Sequence, residues 1–289
     1  IIAIIFAGVY FAWSSSQKIQ TLLSPIFQRD FTDKISERIS TDFVLDFSNS
    51  KELTSLSAVP RYMVYNALNN KVYYAKGADQ KLSPASFTKL LSAQVALDLI
   101  GANEQIIVSP ESINKIPTIL GLKSGEKFVV KDLIRASIAT SANDAAQVLA
   151  DESARYQKMT NQEFLYYMNK KATLLGMNHS HFSNPDGLDE QNQYSTLADI
   201  AKLVNNIQKK YPEIMEAAKA DNVDIATSSA HGYYYLPNWN GLLGVYPGVD
   251  GLKIAYTEEA GYSTIVTYTK DNQKFVAIVS GTGSYLERD

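Results

Sequence analysis

The sequence predicts an α+β protein, one antiparallel sheet flanked by helices with a mainly helical insertion. Two observations carry this reading. Strand-like runs rich in β-branched and aromatic residues occur near 61–76 and again near 249–280, with turn residues between neighbouring runs. Between them, over about 102–225, the pattern is mainly helical. Strands at both ends with helices between them fold most simply as one sheet whose middle is interrupted by a helical layer.

Taken in order, residues 1–13 form an uncharged apolar run. A bilayer span needs about 20 residues, so we expect this run to belong to a truncated signal peptide or transmembrane anchor. Ala12-Trp13-Ser14 is a poor small-x-small cleavage site, which favours an uncleaved anchor over a cleaved signal. Residues 14–57 are polar and mixed, and are expected as a spacer with a short helix within 32–39. The remainder, 58–289, is expected to be a single domain.

In that domain, 61–66 and 71–76 read as two strands joined by a turn at Asn69-Asn70. A marked helix follows. Ser83 is its candidate N-cap, Pro84 suits its first position and Gly101 suits the residue after its end. Leu90, Leu91, Val95, Ala96, Leu97, Leu99 and Ile100 are apolar nearly all round, so the helix should be buried. Helices are then expected at 130–139, 144–154, 162–175, 197–208 and 212–218, and strands at 249–256, 262–269 and 274–280 with a turn at Asp271-Asn272.

Composition narrows the function classes. The chain has 289 residues, 45% hydrophobic and 20% charged, as globular proteins do. Net charge is -3 with no basic tract, which argues against a nucleic-acid partner. There is no cysteine, which removes disulfides, thiolate metal sites and a cysteine nucleophile. The 18 tyrosines are assigned to strands and core edges in preference to a binding surface.

Chemistry concentrates in three fragments. In Ser86-Phe87-Thr88-Lys89 the spacing puts an amine one helical turn from a hydroxyl, on the same face. A serine beside an amine able to lose its proton is an activated nucleophile. Lys89 needs its pKa lowered from about 10.4, which burial and a second cation such as Lys253 would do. Ser141-Ala142-Asn143 reads either as a plain helix N-cap or as a proton-relaying serine with an amide donor. Lys253 is either an exposed strand lysine or a carboxylate-binding residue at a cleft edge. His179 and His181 alternate in a polar stretch without an evident third ligand and are read as loop, and His231 beside Tyr233, Tyr234 and Tyr235 is expected near the cleft. No metal or cofactor is implied.

Together with their flanks these fragments resemble the low-molecular-mass penicillin-binding proteins, the D-alanyl-D-alanine carboxypeptidases. The stretches are Leu82-Ser83-Pro84-Ala85-Ser86-Phe87-Thr88-Lys89-Leu90, Ser141-Ala142-Asn143-Asp144-Ala145-Ala146, Ser183-Asn184-Pro185-Asp186-Gly187-Leu188 and Tyr246-Pro247-Gly248-Val249-Asp250-Gly251-Leu252-Lys253. The resemblance covers about 58–289 and implies a β-lactamase/transpeptidase-like fold. It implies Ser86 as the acylated nucleophile, Lys89 as its base, Ser141, Asn143 and Lys253 in the catalytic cleft, and an oxyanion hole from the N–H groups of Ser86 and Tyr256. Ile254, Ala255, Tyr256 and Thr257 would form the substrate-binding strand. The implied reaction removes terminal D-alanine from peptidoglycan stem peptides, with β-lactams as covalent inhibitors. The implied setting is extracytoplasmic, anchored to the membrane through the N-terminus.

The third motif departs from the family pattern Lys-Thr-Gly and reads Lys253-Ile254-Ala255. Isoleucine lacks the hydroxyl that helps hold the substrate carboxylate, and Thr257 or Arg288 are the candidate replacements. Two alternatives follow: a catalytically silent wall-binding protein of the same fold, and a β-lactamase. The second lacks its Glu-x-x-Leu-Asn element, since 184–190 reads Asn-Pro-Asp-Gly-Leu-Asp-Glu.

Overall fold

The computed structural model describes residues 30–113 and 119–289. The chain divides into two units, residues 1–33 and 34–289, and the second holds the sheet and the site. The anchor expected at 1–13 lies outside the described residues. Among the described residues, no helix is long and apolar enough to cross a membrane.

The sheet is built from β1 (Arg61–Asn66), β2 (Val72–Lys76), β7 (Val249–Thr257), β8 (Gly261–Lys270) and β9 (Gln273–Thr282), in the order β2-β1-β9-β8-β7 and antiparallel throughout. Because β1 pairs with β9, strands far apart in sequence sit side by side, and the helical middle is an insertion, as the sequence predicts. Asp271 and Asn272 between β8 and β9 both have positive φ, 48° and 60°. Asp and Asn tolerate that conformation, which matches the twist of a tight hairpin.

The helical layer comprises α2 (Thr88–Ile100), α3 (Val130–Ala139), α4 (Asn143–Tyr156), α5 (Asn161–Leu174), α6 (Leu197–Lys210) and α7 (Pro212–Lys219). They follow α1 (Thr32–Glu37) and precede the single turn α8 (Tyr285–Arg288). Helix α2 is the hub, packed on α3, α4 and α5, with every residue but Asp98 buried. The Asp98 side chain is itself fully covered, paired with Lys171 of α5. This is what a helix with no polar stripe must do.

Three expectations are corrected. First, Ser83 does not cap α2. A 3₁₀ turn, Ala85–Phe87, precedes the helix, and the Ser83 hydroxyl donates to Asp189 at 3.0 Å instead. Second, the insertion holds two short hairpins, β3 (Gln105–Ile107) with β4 (Lys127–Val129) and β5 (Asn222–Ile225) with β6 (Tyr234–Pro237). Strands of three or four residues are too short to show a period. Third, from residue 34 the expected spacer is a layer of the domain. Ile35 is fully buried, the Phe43 ring meets Tyr65 edge-on at 5.8 Å, and Asp46 and Lys51 bridge to β2 through backbone bonds of 2.8 and 3.1 Å. That segment is polar because it covers a sheet edge with backbone hydrogen bonds rather than filling a core.

Candidate active site

Ser86 lies in the 3₁₀ turn that feeds α2, and Ala85 before it has φ of +44°, an uncommon conformation for a residue with a Cβ. One turn on, Lys89 Nζ donates to Ser86 Oγ at 2.9 Å and to the carbonyl oxygen of Asp186. The expected amine–hydroxyl pair is therefore formed. Lys89 is fully buried, and burial brings its pKa down to about 8 against the opposing pull of Asp186 and Asp144.

The loop that supplies the Asp186 carbonyl is fixed to the same helix. Ser92 Oγ donates to the Pro185 carbonyl at 2.8 Å, and Gly187 N–H donates to Asn184 Oδ1 at 2.7 Å. Gly187 has φ of +88°, and a Cβ there would stand 1.8 Å from the Ala85 carbonyl oxygen. Glycine at 187 is what lets this loop press against the turn carrying Ser86.

Ser141 sits between α3 and α4 with φ of +59°. The capping alternative is not realised: Ala142 occupies the N-cap position of α4, and no side chain caps the helix. Asn143 opens α4 and is buried. The next residue, Asp144, gathers the loop at 120–122. Its carboxylate accepts from the N–H groups of Leu120 at 2.8 Å, Gly121 at 2.9 Å and Leu122 at 3.3 Å, and from its own helix at Ala145. Nothing in the sequence reading singled out Asp144, since an acidic residue in a first helical turn is ordinary.

Lys253 is on β7, an edge strand of the sheet, and is buried rather than exposed. Its Nζ donates to the Ile254 carbonyl at 3.0 Å. Burial holds its pKa well below the ordinary lysine value, and the positive charges of Lys89 and Arg288 push the same way. Lys89 thus acts on Lys253, but the lowering of Lys89 itself comes from burial and not from Lys253, the second cation the sequence reading offered for that role.

These groups open onto a cleft of about 250 Å³ lined by Ser86, Ser141, Trp239, Ile254, Ala255, Tyr256, Tyr262 and Arg288. Lys89, Asn143 and Lys253 are buried residues behind that surface. Thr257 is not among the lining residues. Its hydroxyl donates to Asp189 Oδ1 at 2.6 Å and accepts from Ala260 N–H at 3.1 Å, so it is committed to the strand end and not to the cleft. Arg288, the other candidate replacement, does line the cleft. Trp239 and Tyr262 were missed. Trp239 lies in an irregular segment, and Tyr262 reaches the site only through the β7–β8 pairing, where its ring packs on Tyr256 at 4.3 Å. A larger groove of about 440 Å³ beside Glu152 and Arg155 pairs no serine with a lysine. His181 bridges to Tyr194, and His231 stacks on Phe128 at 4.5 Å.

A serine hydroxyl bonded to a buried lysine, at the mouth of a cleft walled by a sheet edge, is an arrangement chemically able to activate a nucleophile for acyl transfer. The family model for D-alanyl-D-alanine carboxypeptidases matches residues 48–283, and the chain belongs to that family. It is 30% identical over 224 residues to the D-alanyl-D-alanine carboxypeptidase DacF of Bacillus subtilis, covering 76% of this chain and 56% of the relative. To DacA of Escherichia coli K12 it is 27% identical over 256 residues, covering 82% and 60%. The chain thus spans somewhat over half the length of these relatives. Among solved structures, it resembles penicillin-binding protein D2 of Listeria monocytogenes in its ampicillin-bound form, with TM-score 0.67, 27% identity and coverage of 80% and 92%. The Streptomyces K15 DD-transpeptidase shares the fold, with TM-score 0.74, 24% identity and coverage of 82% and 94%.

Proposed function

We propose that this chain is a serine-type D-Ala-D-Ala carboxypeptidase that trims peptidoglycan stem peptides. The observation that carries the reading is the 2.9 Å bond between Ser86 and a buried Lys89 whose pKa is brought down to about 8. A neutral Lys89 takes the Ser86 proton as Oγ attacks the carbonyl carbon of the penultimate D-alanine. The C–N bond then breaks and terminal D-alanine leaves as an amine, with Ser141 relaying the proton it needs. Water hydrolyses the resulting ester and regenerates Ser86. The N–H groups of Ser86 and Tyr256 are the proposed oxyanion donors.

Asn143 is assigned to the substrate amide, and Lys253 with Arg288 to the substrate carboxylate. Ile254, Ala255 and Tyr256 form the wall along which the peptide lies. Thr257 acts through Asp189, holding the end of β7. β-Lactams acylate Ser86 as substrate mimics, in line with the ampicillin-bound state of the Listeria relative. An extracytoplasmic setting and attachment to the membrane through the N-terminus belong to the same reading. The test is release of D-alanine from a pentapeptide ending in D-Ala-D-Ala, which the chain should perform and its Ser86→Ala variant should not.

A second reading has one observation in its favour. Ile254 and Ala255 line the cleft where the family pattern has Thr and Gly, so the carboxylate loses a hydroxyl partner. The chain would then bind wall peptide without turning it over. Turnover that depends on Ser86 excludes it.

A further inference from the structure

The hairpin of β5 and β6 has two unlike faces. Inward, Val223 and Ile225 are buried, and Tyr234 meets the Phe128 ring edge-on at 5.5 Å. Outward, exposure alternates along the chain from 233 to 239, leaving Tyr233 (59% exposed), Tyr235 (54%), Pro237 and Trp239 (46%) open to solvent. Tyr235 and Pro237 share one side of β6, as residues two apart in a strand do, and Tyr233 and Trp239 continue the alternation of exposure just beyond its two ends, so the four are taken as one row. Opposite them in the pairing stand Asp224, facing Tyr235, and Asn222, facing Pro237, on the same side of the hairpin. Single exposed aromatics are common, but a regular row of them marks a contact surface.

The row is continuous with the cleft. Trp239 lines the cleft beside Ser86 and Ser141. Its backbone N–H donates to the Ala139 carbonyl at 3.1 Å, which fixes that end of the row two residues from Ser141. At about 3.3 Å per residue, the row from 239 back to 233 reaches up to about 20 Å outward. Its chemistry points to one kind of occupant. Aromatic rings offer flat apolar faces, and Asn222 and Asp224 offer hydrogen-bonding groups for hydroxyls and amides. Asp224 is the one charged residue of the two strands, and Arg135, which donates to the Asp224 backbone carbonyl at 3.4 Å, is itself paired with Asp132, so the face carries no net positive charge to attract an anionic polymer. Strand addition by a peptide is disfavoured because Pro237 has no N–H to give. A neutral chain of N-acetylated pyranose rings presents flat C–H faces and peripheral hydroxyls, and meets both features.

We propose that Tyr233, Tyr235 and Trp239 form a saccharide track that holds the glycan strand while its attached stem peptide occupies the cleft. This rests on the carboxypeptidase reading above. The experiment compares wild type with the double variant Tyr233→Ser, Tyr235→Ser, both residues being exposed and outside the cleft. Two substrates are used: a free pentapeptide ending in D-Ala-D-Ala, and the same pentapeptide carried on a tetrasaccharide of alternating N-acetylglucosamine and N-acetylmuramic acid. Binding of tetra-N-acetylchitotetraose, a neutral sugar chain, is measured separately by titration.

Loss of two ring contacts should lower kcat/KM on the glycan-linked substrate about tenfold and leave the free pentapeptide unchanged. Chitotetraose should bind wild type and not the variant. Equal kcat/KM for variant and wild type on the glycan-linked substrate would overturn the track, as would an equal fall on both substrates. If neither substrate is turned over, the carboxypeptidase reading fails. The track then stands or falls on chitotetraose binding alone, with unchanged binding in the variant overturning it.

Discussion

Lys89 Nζ lies 2.9 Å from Ser86 Oγ in a position that water does not reach, and the second lysine of the site, Lys253, is buried as well. Burial lowers both amines, and the charge of Lys89 pushes Lys253 further down. With Lys89 brought to about 8, a neutral base becomes available beside the nucleophile as pH rises to that value, and most of what the chain is expected to do follows from this.

The rate of Ser86 acylation by benzylpenicillin should rise with pH through about 8, the value to which burial brings Lys89. The sign follows from the base: its neutral form accepts the Ser86 proton, and its protonated form, dominant at lower pH, does not. Stopped-flow acylation rates measured across this range check it, and a flat profile would rule out Lys89 as the base.

The same burial makes Lys89 costly to fold. Its pKa falls from 10.5 to about 8, so folding with a protonated Lys89 costs about 3 kcal/mol below pH 8. The cost fades as pH rises from about 8 to 10.5, because there the unfolded chain holds the proton and the folded chain does not. Replacing Lys89 by Met removes that cost but also two hydrogen bonds from a charged donor, worth about 1.5–3 kcal/mol each, so near neutral pH the gain is offset. The expected result is an inactive protein that loses about 3 kcal/mol of stability relative to wild type between pH 8 and 10.5. Calorimetry of the two proteins near neutral pH and again above pH 10 checks the sign, since wild type alone should gain stability over that range.

Gly187→Ala should disable acylation. The added Cβ would stand 1.8 Å from the Ala85 carbonyl, and the loop has to leave the nucleophile's turn to make room. The Asp186 carbonyl that accepts from Lys89 moves with it. An adduct formed at the wild-type rate would show that this loop does not position the base.

Restoring the family pattern with Ile254→Thr and Ala255→Gly should raise kcat/KM on a pentapeptide. One hydrogen bond to a charged group is worth about 1.5–3 kcal/mol, or one to two orders of magnitude in rate. Steady-state kinetics on the double variant decides it. No gain would mean that Arg288, which lines the cleft, already supplies the carboxylate contact.

Much of this was legible in the sequence. The long helices and the outer strands announce themselves through periodicity, and Ser86, Lys89, Ser141, Asn143 and Lys253 through spacing and flanks. What was not legible depends on contacts between distant residues. Thr257 looks free along its strand, and only the fold shows that Asp189 takes its hydroxyl. Asp144 looks like an ordinary helix-start acid until the loop at 120–122 is seen to close on it. Residues 34–57 look like a tether because they are polar, yet Ile35 and Phe43 fix them to the domain.

The most direct test of the central claim is intact-protein mass spectrometry after incubation with benzylpenicillin, with Ser86→Ala alongside. The account predicts one covalent adduct on the wild-type chain and none on the variant, despite Ile254 and Ala255 in the third motif. A folded wild-type chain that forms no adduct would contradict it, and would leave Ser86 and Lys89 as a pair that is assembled but not reactive.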